Sequence, residues 1–299
     1  MQSKDMLKSI KKNRNVYFLL APWLIVFIVF TIAPIFSAVT LSFSSYNILQ
    51  PAKFNGFDNY LRLFLDDDVF ILSLKNTAIF AVITGPVGYL LSFIIAWMIN
   101  DMSPRARSVL TLLFYSPTLA GNVYFIWLFI FSGDSYGLIN SNLLKLGAIK
   151  EPVYWLTDPK YNFWVCVAVL IWMSMGAGFL ALVAGFKQLN FSLFEAAAID
   201  GIRNRWQELW FVTLPQMVPQ LLISAVLSVS GAFAVGYQCA ALTGFPSTDY
   251  STHTMVLHIQ DYGYNRFEMG YASAIAVVLF VLMIIVWNTI NKAISSMGD

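Results

Sequence analysis

Two histidines and two aspartates lie in one short polar stretch near the end of the chain, and these residue types could bind a metal ion. His253 and His258 are five residues apart, with Asp249 and Asp261 on either side. Histidines that share one helical face in the H-E-x-x-H pattern are four residues apart. We therefore predict no metal site and interpret the stretch as a polar loop close to a docked partner.

Other patterns that carry catalysis are absent from the sequence. It contains no G-x-x-x-x-G-K-[ST] phosphate loop, and no Gly is followed by Lys. The apolar runs hold neither the nucleophile–base pair nor the paired aspartates that an intramembrane protease would need. Cys166 and Cys239 lie in apolar runs without a CxxC pair, so we expect small buried hydrophobes. We expect a protein that is not an enzyme and that holds no cofactor itself.

The composition is that of a membrane protein. The chain is 58% hydrophobic and 11% charged, with a mean hydropathy of +0.67, whereas soluble domains carry about 25% charged residues. The net charge of +2 argues against nucleic acid as a partner. Six charge-free runs are each long enough to cross a bilayer. We therefore predict an all-α integral membrane protein with six transmembrane helices, at about 16–44, 76–100, 108–131, 161–187, 217–242 and 269–292.

The distribution of positive charge sets the orientation in the membrane. Residues 1–15 form a basic segment, and residues 16–299 form a single transmembrane domain. If the N-terminus is cytoplasmic, Lys and Arg are more numerous on the inside than in the longer outside loops, as the positive-inside rule requires. Both termini are therefore predicted to be cytoplasmic. The polar stretch 190–216 then lies in the second cytoplasmic loop.

The polar stretch 190–216 has local signals for two helices. Ser192 and Glu195 have the spacing of a capping box. The alanines at 196–198 are the best helix formers, and Gly201 fits the left-handed position that ends a helix. Asn204, with Gln207 three residues later, suggests a second N-cap, and Pro215 is expected to end that second helix.

The first of these helices has only about two turns, so it is not stable alone in water and must pack on something. Its spacing predicts one face toward the membrane domain, made of Leu193, Phe194, Ala197 and Ala198. The opposite face, toward the cytosol, is made of Ala196, Ile199 and Asp200. Because small residues let another surface approach closely, we favour a docking surface. The alternative is an amphipathic hairpin that lies on the bilayer.

The stretch "EAAAIDGIRNRWQELWFVTLP" resembles the EAA motif in membrane subunits of ABC importers, especially carbohydrate permeases that work with an external binding protein. The matching residues are Glu195, Ala196, Ala197, Asp200, Gly201, Thr213, Leu214 and Pro215. The stretch from Gly201 to Pro215 is one residue longer than the common form. Weaker similarity covers predicted helix one and helices three to six, in segments 21–43, 115–140, 242–246, 252–254 and 269–280.

This resemblance implies a type I ABC importer permease fold in the cell (cytoplasmic or inner) membrane. It implies that two permeases pair, the second being a paralogue or a copy, and that an extracytoplasmic binding protein delivers the solute. It also implies two cytosolic ATPase subunits, which bind ATP and Mg²⁺ and dock on coupling helices at 192–214. The docking residues would be Glu195, Ala196, Ala197, Ala198, Ile199, Asp200 and Gly201.

The residues of a solute pathway are expected inside the membrane. None of the six charge-free runs contains Asp, Glu, Lys, Arg or His, whereas secondary carriers usually bury such a residue near the midplane. An uncharged solute and an external motor fit this pattern better. Polar and aromatic residues within the spans are candidates to line the path: Asn122, Tyr124, Trp172, Ser174, Tyr237 and Gln238. For each of them, hydrogen bonding between helices is an equally good interpretation.

We therefore predict the transmembrane subunit of an ATP-driven importer, forming half of the pathway for a sugar or oligosaccharide. One alternative is an ABC permease for another uncharged solute. A second, of a different class, is a structural or regulatory membrane subunit that binds a partner without forming a conduit. A six-helix secondary carrier is the third.

Overall fold

The computed structural model describes residues 14–121 and 123–295, and the described chain is mostly helical. Asn122 and residues 1–13 of the predicted basic segment lie outside the described residues. The helices are α1 (Arg14–Phe27), α2 (Ala33–Ser42), α3 (Asp58–Leu65), α4 (Asp68–Asn100), α5 (Pro104–Leu119), α6 (Tyr124–Ile130), α7 (Leu138–Lys145), α8 (Pro159–Trp172), α9 (Ala177–Lys187), α10 (Phe191–Ile199), α11 (Arg205–Glu208), α12 (Leu214–Phe233), α13 (Tyr237–Thr243), α14 (Met255–Gln260) and α15 (Met269–Ser295).

Short irregular elements connect or interrupt these helices. Three π-helical turns lie at Ile28–Ile32, Leu209–Thr213 and Asp261–Asn265. Strands β1 (Ser44–Ser45) and β2 (Lys53–Phe54) form a small antiparallel hairpin outside the membrane.

Within the described chain, five helical stretches are long and apolar enough to cross a membrane: Phe18–Ser42, Asp68–Asn100, Pro159–Lys187, Arg205–Phe233 and Met269–Ile294. The pair α5 and α6 supplies a sixth crossing if it counts as one span, but it bends by 86°. The span predicted at about 108–131 corresponds to this bent pair rather than to one continuous helix. Pro117 lies near the end of α5, and Ala120 after it takes an extended conformation that turns the chain.

The fifth membrane helix differs from the prediction at both ends. It begins at Arg205 rather than near 217, and it ends at Phe233 rather than near 242. Pro215 does not stop the helix, as the sequence suggested. The π turn Leu209–Thr213 precedes it, and Pro215 lies in the first turn of α12, where a proline is tolerated. Because a π turn holds one more residue than an α turn, it can absorb the extra residue after Gly201.

The core of the described chain is a helical bundle with three buried clusters. One lies around the outer ends of α4 and α15, including Phe70, Met255 and Ile275. A second joins α8 and α13 and contains both cysteines, which are free and buried as expected. The third, near the cytoplasmic side, contains Phe179 and Met217. The first membrane helix differs from the others, because none of its most apolar window is buried.

Candidate functional site

The cytoplasmic helix α10 begins with a cap that the sequence analysis did not identify. The side chain of Asn190 accepts a hydrogen bond from the backbone N–H of Ser192 at 3.1 Å, and the Ser192 hydroxyl donates to the same oxygen at 2.9 Å. The predicted capping box of Ser192 and Glu195 is therefore wrong. The helix starts at Phe191, one residue before Ser192, and Asn caps a helix as well as Ser does.

The end of α10 is a Schellman motif centred on Gly201. Gly201 has φ +94°, and its N–H donates to the carbonyl of Ala198. The N–H of Ile202 donates to the carbonyl of Ala197 at 3.0 Å. These two bonds satisfy carbonyls that the end of the helix leaves unpaired. The predicted glycine elbow is confirmed.

After the elbow, α11 starts at a second cap, which is also confirmed. The side chain of Asn204 accepts from the N–H of Gln207 at 2.8 Å, and the side chain of Gln207 accepts from the N–H of Arg203 at 3.0 Å. The two helices are thereby joined through a turn whose polar groups bond to each other.

Two contacts attach α11 to the cytoplasmic end of α4. Arg205 forms an ion pair with Asp101, and the ring of Trp206 lies 5.3 Å from the ring of Trp97. Since α11 continues through the π turn into α12, the elbow is tied to two membrane helices at once.

The seven predicted docking residues divide clearly by exposure. Ala197 is buried against the membrane domain, together with half-buried Phe194. Leu193 and Ala198 were expected on this face but are exposed, because α10 contacts the membrane domain along a narrow line. The other docking residues are exposed, and Ile199 is 87% exposed. The exposed set is Glu195, Ala196, Ala198, Ile199, Asp200 and Gly201.

A cavity of about 290 Å³ lies between the membrane helices α4, α5, α9 and α12. It includes the breaks where α8 meets α9 and where α12 meets α13. No Asp, Glu, Lys, Arg or His lines it. Its polar lining residues are Thr84, Tyr89, Thr118, Ser174, Ser228 and Gln238.

Two of the predicted pathway residues, Ser174 and Gln238, line this cavity. The Ser174 hydroxyl donates to the carbonyl of Ile171 at 2.7 Å. The side-chain oxygen of Gln238 accepts from the N–H of Gly236 at 3.2 Å, which leaves its amide nitrogen without a hydrogen-bond partner in the described part of the chain. Gln238 is therefore the predicted residue best placed to donate to a solute.

Of the remaining pathway candidates, Tyr124, Trp172 and Tyr237 do not line this cavity. The rings of Tyr124 and Tyr237 pack together at 5.8 Å, and Trp172 packs against Trp127 at 5.2 Å. Asn122 lies outside the described residues. For Tyr124, Trp172 and Tyr237 the contacts are those of helix packing.

Four polar residues of the cavity were not predicted from the sequence: Thr84, Tyr89, Thr118 and Ser228. The available signal was their spacing with small residues. Gly85 and Gly88 lie beside Thr84, and Gly231 follows Ser228 by three positions, so each helix presents a stripe of small residues. In an apolar run such a stripe is indistinguishable from a helix-packing surface.

The two external histidines are buried, so they are not exposed polar residues of the loop; the predicted nearby partner stays a prediction. Each is only 2% exposed. His253 Nε2 lies 3.2 Å from His258 Nδ1, and His258 Nε2 lies 3.1 Å from Oδ2 of Asp67. The ring of Phe245 stacks on His253. Among the described residues, no three His, Cys, Asp or Glu side chains are grouped to hold a metal ion.

The surroundings of this cluster favour neutral imidazoles beside a carboxylate. Burial, and secondly the neighbouring His258, lowers the pKa of His253 to about 4. Burial also lowers the pKa of His258, although Asp67 opposes the shift. Burial alone would raise the pKa of Asp67, but hydrogen bonds from Tyr271 and the Phe70 N–H, together with His258, hold it below its usual value.

Acidification should therefore weaken the fold around the two histidines. The pKa of a His in the unfolded chain is about 6.5, whereas the pKa of buried His253 is about 4. The stability that the neutral, buried His253 contributes is therefore fully present above about pH 6.5 and is lost as the pH falls toward 4. We expect the melting temperature of the purified protein to fall between pH 6.5 and 4. His253→Gln keeps a donor for His258 but does not titrate, so its decline should be smaller. The chain has only two histidines, so His253→Gln removes one of the two groups expected to cause this decline. If the melting temperatures of wild type and His253→Gln fall equally with pH, His253 is not buried in its neutral form.

Comparison with known proteins identifies the context of these sites. A family described as binding-protein-dependent transport system inner membrane component matches residues 88–296. A probable ABC transporter permease, YesP of Bacillus subtilis, is 30% identical over 288 residues, which cover 92% of this chain and 91% of YesP. The lactose transport system permease LacF of Rhizobium radiobacter is 32% identical over 281 residues, 91% of each chain.

A solved structure is similar over the whole length. It is a chain of a bacterial ABC transporter involved in the import of the acidic polysaccharide alginate, with a TM-score of 0.78 and 25% identity. The match covers 99% of this chain and 100% of that one.

Proposed function

Because this chain belongs to the family of binding-protein-dependent transport system inner membrane components, we propose that it forms half of the import pathway for a sugar or oligosaccharide. It is a multi-pass membrane protein with the type I importer permease fold, and its family consists of permease subunits rather than enzymes. The ATP-driven step is assigned to two separate ATPase subunits, which would bind the ATP and Mg²⁺.

The observation that carries this proposal is the exposed face of α10. An apolar side chain that is 87% exposed, Ile199, projects beside small alanines from a short helix held by a cap and a glycine elbow. A helix of this size does not stay folded by itself, and this one is attached to α4 and α12. Such a surface is suited to bind a partner whose movement is transmitted to the membrane helices. In an ATP-driven importer that partner is the ATPase.

The contacts of α11 also connect the docking surface to the helices that line the cavity, so a movement of the ATPase can reach them. Helix α11 runs through the π turn into α12, and α12 lines the cavity with Ser228 and Gly231. The ion pair of Arg205 with Asp101 links the same segment to α4, which lines the cavity with Thr84. When ATP binding closes the two ATPases, the coupling helices would move with them. The attached membrane helices would then switch the path between inward-open and outward-open.

The cavity supports an uncharged carbohydrate as the solute. Its polar groups are hydroxyls and one amide, without a charged side chain. Such groups can exchange hydrogen bonds with sugar hydroxyls and leave no buried charge unpaired. One of the similar proteins is a lactose permease, and lactose is an uncharged sugar. The alginate transporter imports an acidic polysaccharide and so supports a saccharide but not the absence of charge.

The exposed first membrane helix supports a second permease as a partner. None of its most apolar window is buried within this chain. A paralogue or a second copy of this chain would pack against part of the exposed surface of this helix, and lipid would contact the remaining part. The family description further supports an extracytoplasmic binding protein that delivers the solute.

Removal of the Gln238 amide should reduce transport without uncoupling the ATPase. Loss of one hydrogen bond is worth about 1 kcal/mol, or about fivefold. We therefore expect Gln238→Leu to lower the rate of solute uptake by about fivefold while the amount of solute transported per ATP hydrolysed stays unchanged. The measurement uses the complete importer in lipid vesicles with saturating, loaded binding protein. Tyr237→Phe is the matched control, because Tyr237 does not line the cavity, and it should behave as wild type. Equal uptake by Gln238→Leu and wild type would remove Gln238 from the path.

Isolation of the chain from its native membrane tests the proposed function. We expect an ATPase that contains a phosphate loop to co-purify with the tagged chain. Its ATP turnover should rise when binding protein and solute are added. A complex without an ATPase would favour the structural or regulatory subunit instead.

A further inference from the structure

One buried carboxylate on the external side joins three separate parts of the chain. Oδ1 of Asp67 accepts from the N–H of Phe70 at 2.8 Å and so caps α4. Oδ2 lies 3.1 Å from Nε2 of His258 in α14 and accepts from the hydroxyls of Tyr262 at 3.3 Å and Tyr271 at 2.7 Å. Since Tyr271 belongs to α15, Asp67 links α4, the external segment 247–265 and α15.

Two arginines stack on the tyrosine rings that bond to this carboxylate. The guanidinium of Arg62 lies 4.1 Å from the ring centre of Tyr271, and it pairs with Glu268 at 2.5 Å. Arg266 lies 4.3 Å from the ring centre of Tyr262. Each cation is paired with another carboxylate, Arg62 with Glu268 and Arg266 with Asp261. The Asp67 side chain, which is 8% exposed, is stabilised instead by its hydrogen bonds from Tyr271 and the Phe70 N–H and by His258. The anchor is thus a packed ionic cluster rather than a single surface contact.

The other end of α14 is bonded to the wall of the cavity. Thr254 caps α14, and its hydroxyl donates to the carbonyl of Val235 at 2.7 Å. Val235 lies in the break between α12 and α13 and lines the cavity. The carbonyl at this break therefore finds its partner in the external segment.

Helix α4 holds the same external segment at two more points. The Asn76 amide donates to the carbonyls of Tyr250 and His253, and Thr77 accepts from the N–H of Met255 at 2.8 Å. A valine from the segment, Val256, packs where a Cβ on Gly236 would lie. The segment cannot shift without disturbing both α4 and the helix break.

We propose that Asp67 is a positioning residue for transport. It holds the segment 247–265 against α4 and α15, so that a displacement imposed on this segment from outside reaches the cavity wall through Thr254 and Val235. Coupling between distant sites needs an element that both sites bias. Without Asp67 the segment would keep its bonds to Asn76 and Thr77 but lose the link through this carboxylate to Tyr271 of α15. The inference rests on the proposed function, since it assigns the displacement to the docked binding protein.

The test uses the complete importer in lipid vesicles, with its ATPases, second permease and binding protein. Asp67→Asn keeps an acceptor for the Phe70 N–H but removes the charge that holds His258 and the tyrosines. We expect the maximal binding-protein-stimulated ATPase rate and uptake to fall at least about fivefold, the lower end of typical coupling effects. The binding-protein concentration for half-maximal stimulation should change less than twofold, because docking itself is preserved. Asp66→Asn, an exposed neighbour, is the matched control and should behave as wild type.

A second pair of variants keeps the test decisive if Asp67→Asn does not assemble. Thr254→Val loses the donor to Val235 and should also lower maximal stimulation, whereas Thr254→Ser keeps the hydroxyl and should restore it. A purely structural role would lower yield or melting temperature but leave the stimulation of intact complexes unchanged, and that result would overturn the inference. Absence of stimulation in the wild-type importer would instead contradict the proposed function.

Discussion

Replacement of Gly201 by aspartate should uncouple ATP hydrolysis from transport, with solute uptake falling at least about tenfold. Gly201 has φ +94°, and a Cβ there would meet no atom within 4 Å, so the cost arises from backbone conformation rather than from a clash. Such strain is worth about 1–3 kcal/mol. The new carboxylate would also lie beside Asp200 at the negative end of α10. Relaxation of the elbow would move α10 relative to α11, and with it the surface offered to the ATPase.

The chain contains a closely matched control for this substitution. Gly147 follows the C-terminal end of α7, a helix in an external loop. It has φ +69°, and a Cβ added there would meet no atom within 4 Å. It also ends its helix with the two bonds of a Schellman motif, from Gly147 to Leu144 and from Ala148 to Leu143. Gly147→Asp should therefore carry a similar conformational cost but leave coupling intact. Normal uptake by Gly201→Asp, or equal loss in both variants, would contradict a specific role for the cytoplasmic elbow.

Replacement of Ile199 by aspartate should weaken the ATPase complex without harming the fold of this chain. Ile199 is 87% exposed, so its removal costs the isolated chain little. At the centre of a desolvated contact, however, truncation of such an anchor costs about 2 kcal/mol or more, and a buried charge adds to that. We expect the affinity for the ATPase to fall at least about tenfold, measured by titration of the purified permease with the ATPase.

An exposed apolar residue on the other side of the membrane controls for the change in surface charge. Leu49 lies in the external loop and is 90% exposed. Leu49→Asp should retain wild-type affinity for the ATPase. If Ile199→Asp binds the ATPase as tightly as Leu49→Asp does, then α10 is not the docking surface.

The helical class, the membrane topology and the glycine elbow could be predicted because local signals determine them. Apolar runs of spanning length and the positive residues beside them depend only on neighbouring sequence. Likewise, Gly201 and Asn204 act on backbone groups within four residues. The cap of α10 was misassigned because Asn190 and Ser192 are both good caps, and only the observed start of the helix distinguishes them.

The cavity and the external cluster could not be predicted, because they depend on contacts between distant residues. Asp67 and His258 are joined across 191 positions, and no local pattern indicates that they meet. The same holds for the cavity, where Thr84 and Gln238 come from different helices. The π turn before Pro215 was also hidden, since a proline in a sequence normally signals the end of a helix.

Energy dependence of solute uptake by the reconstituted importer tests the central claim most directly. The complete complex is placed in lipid vesicles with loaded binding protein outside and ATP inside, and solute accumulation is followed with and without a proton uncoupler. We predict uptake that requires ATP and loaded binding protein and that the uncoupler does not change. Uptake that survives ATP depletion and stops with the uncoupler would contradict the account and indicate a secondary carrier.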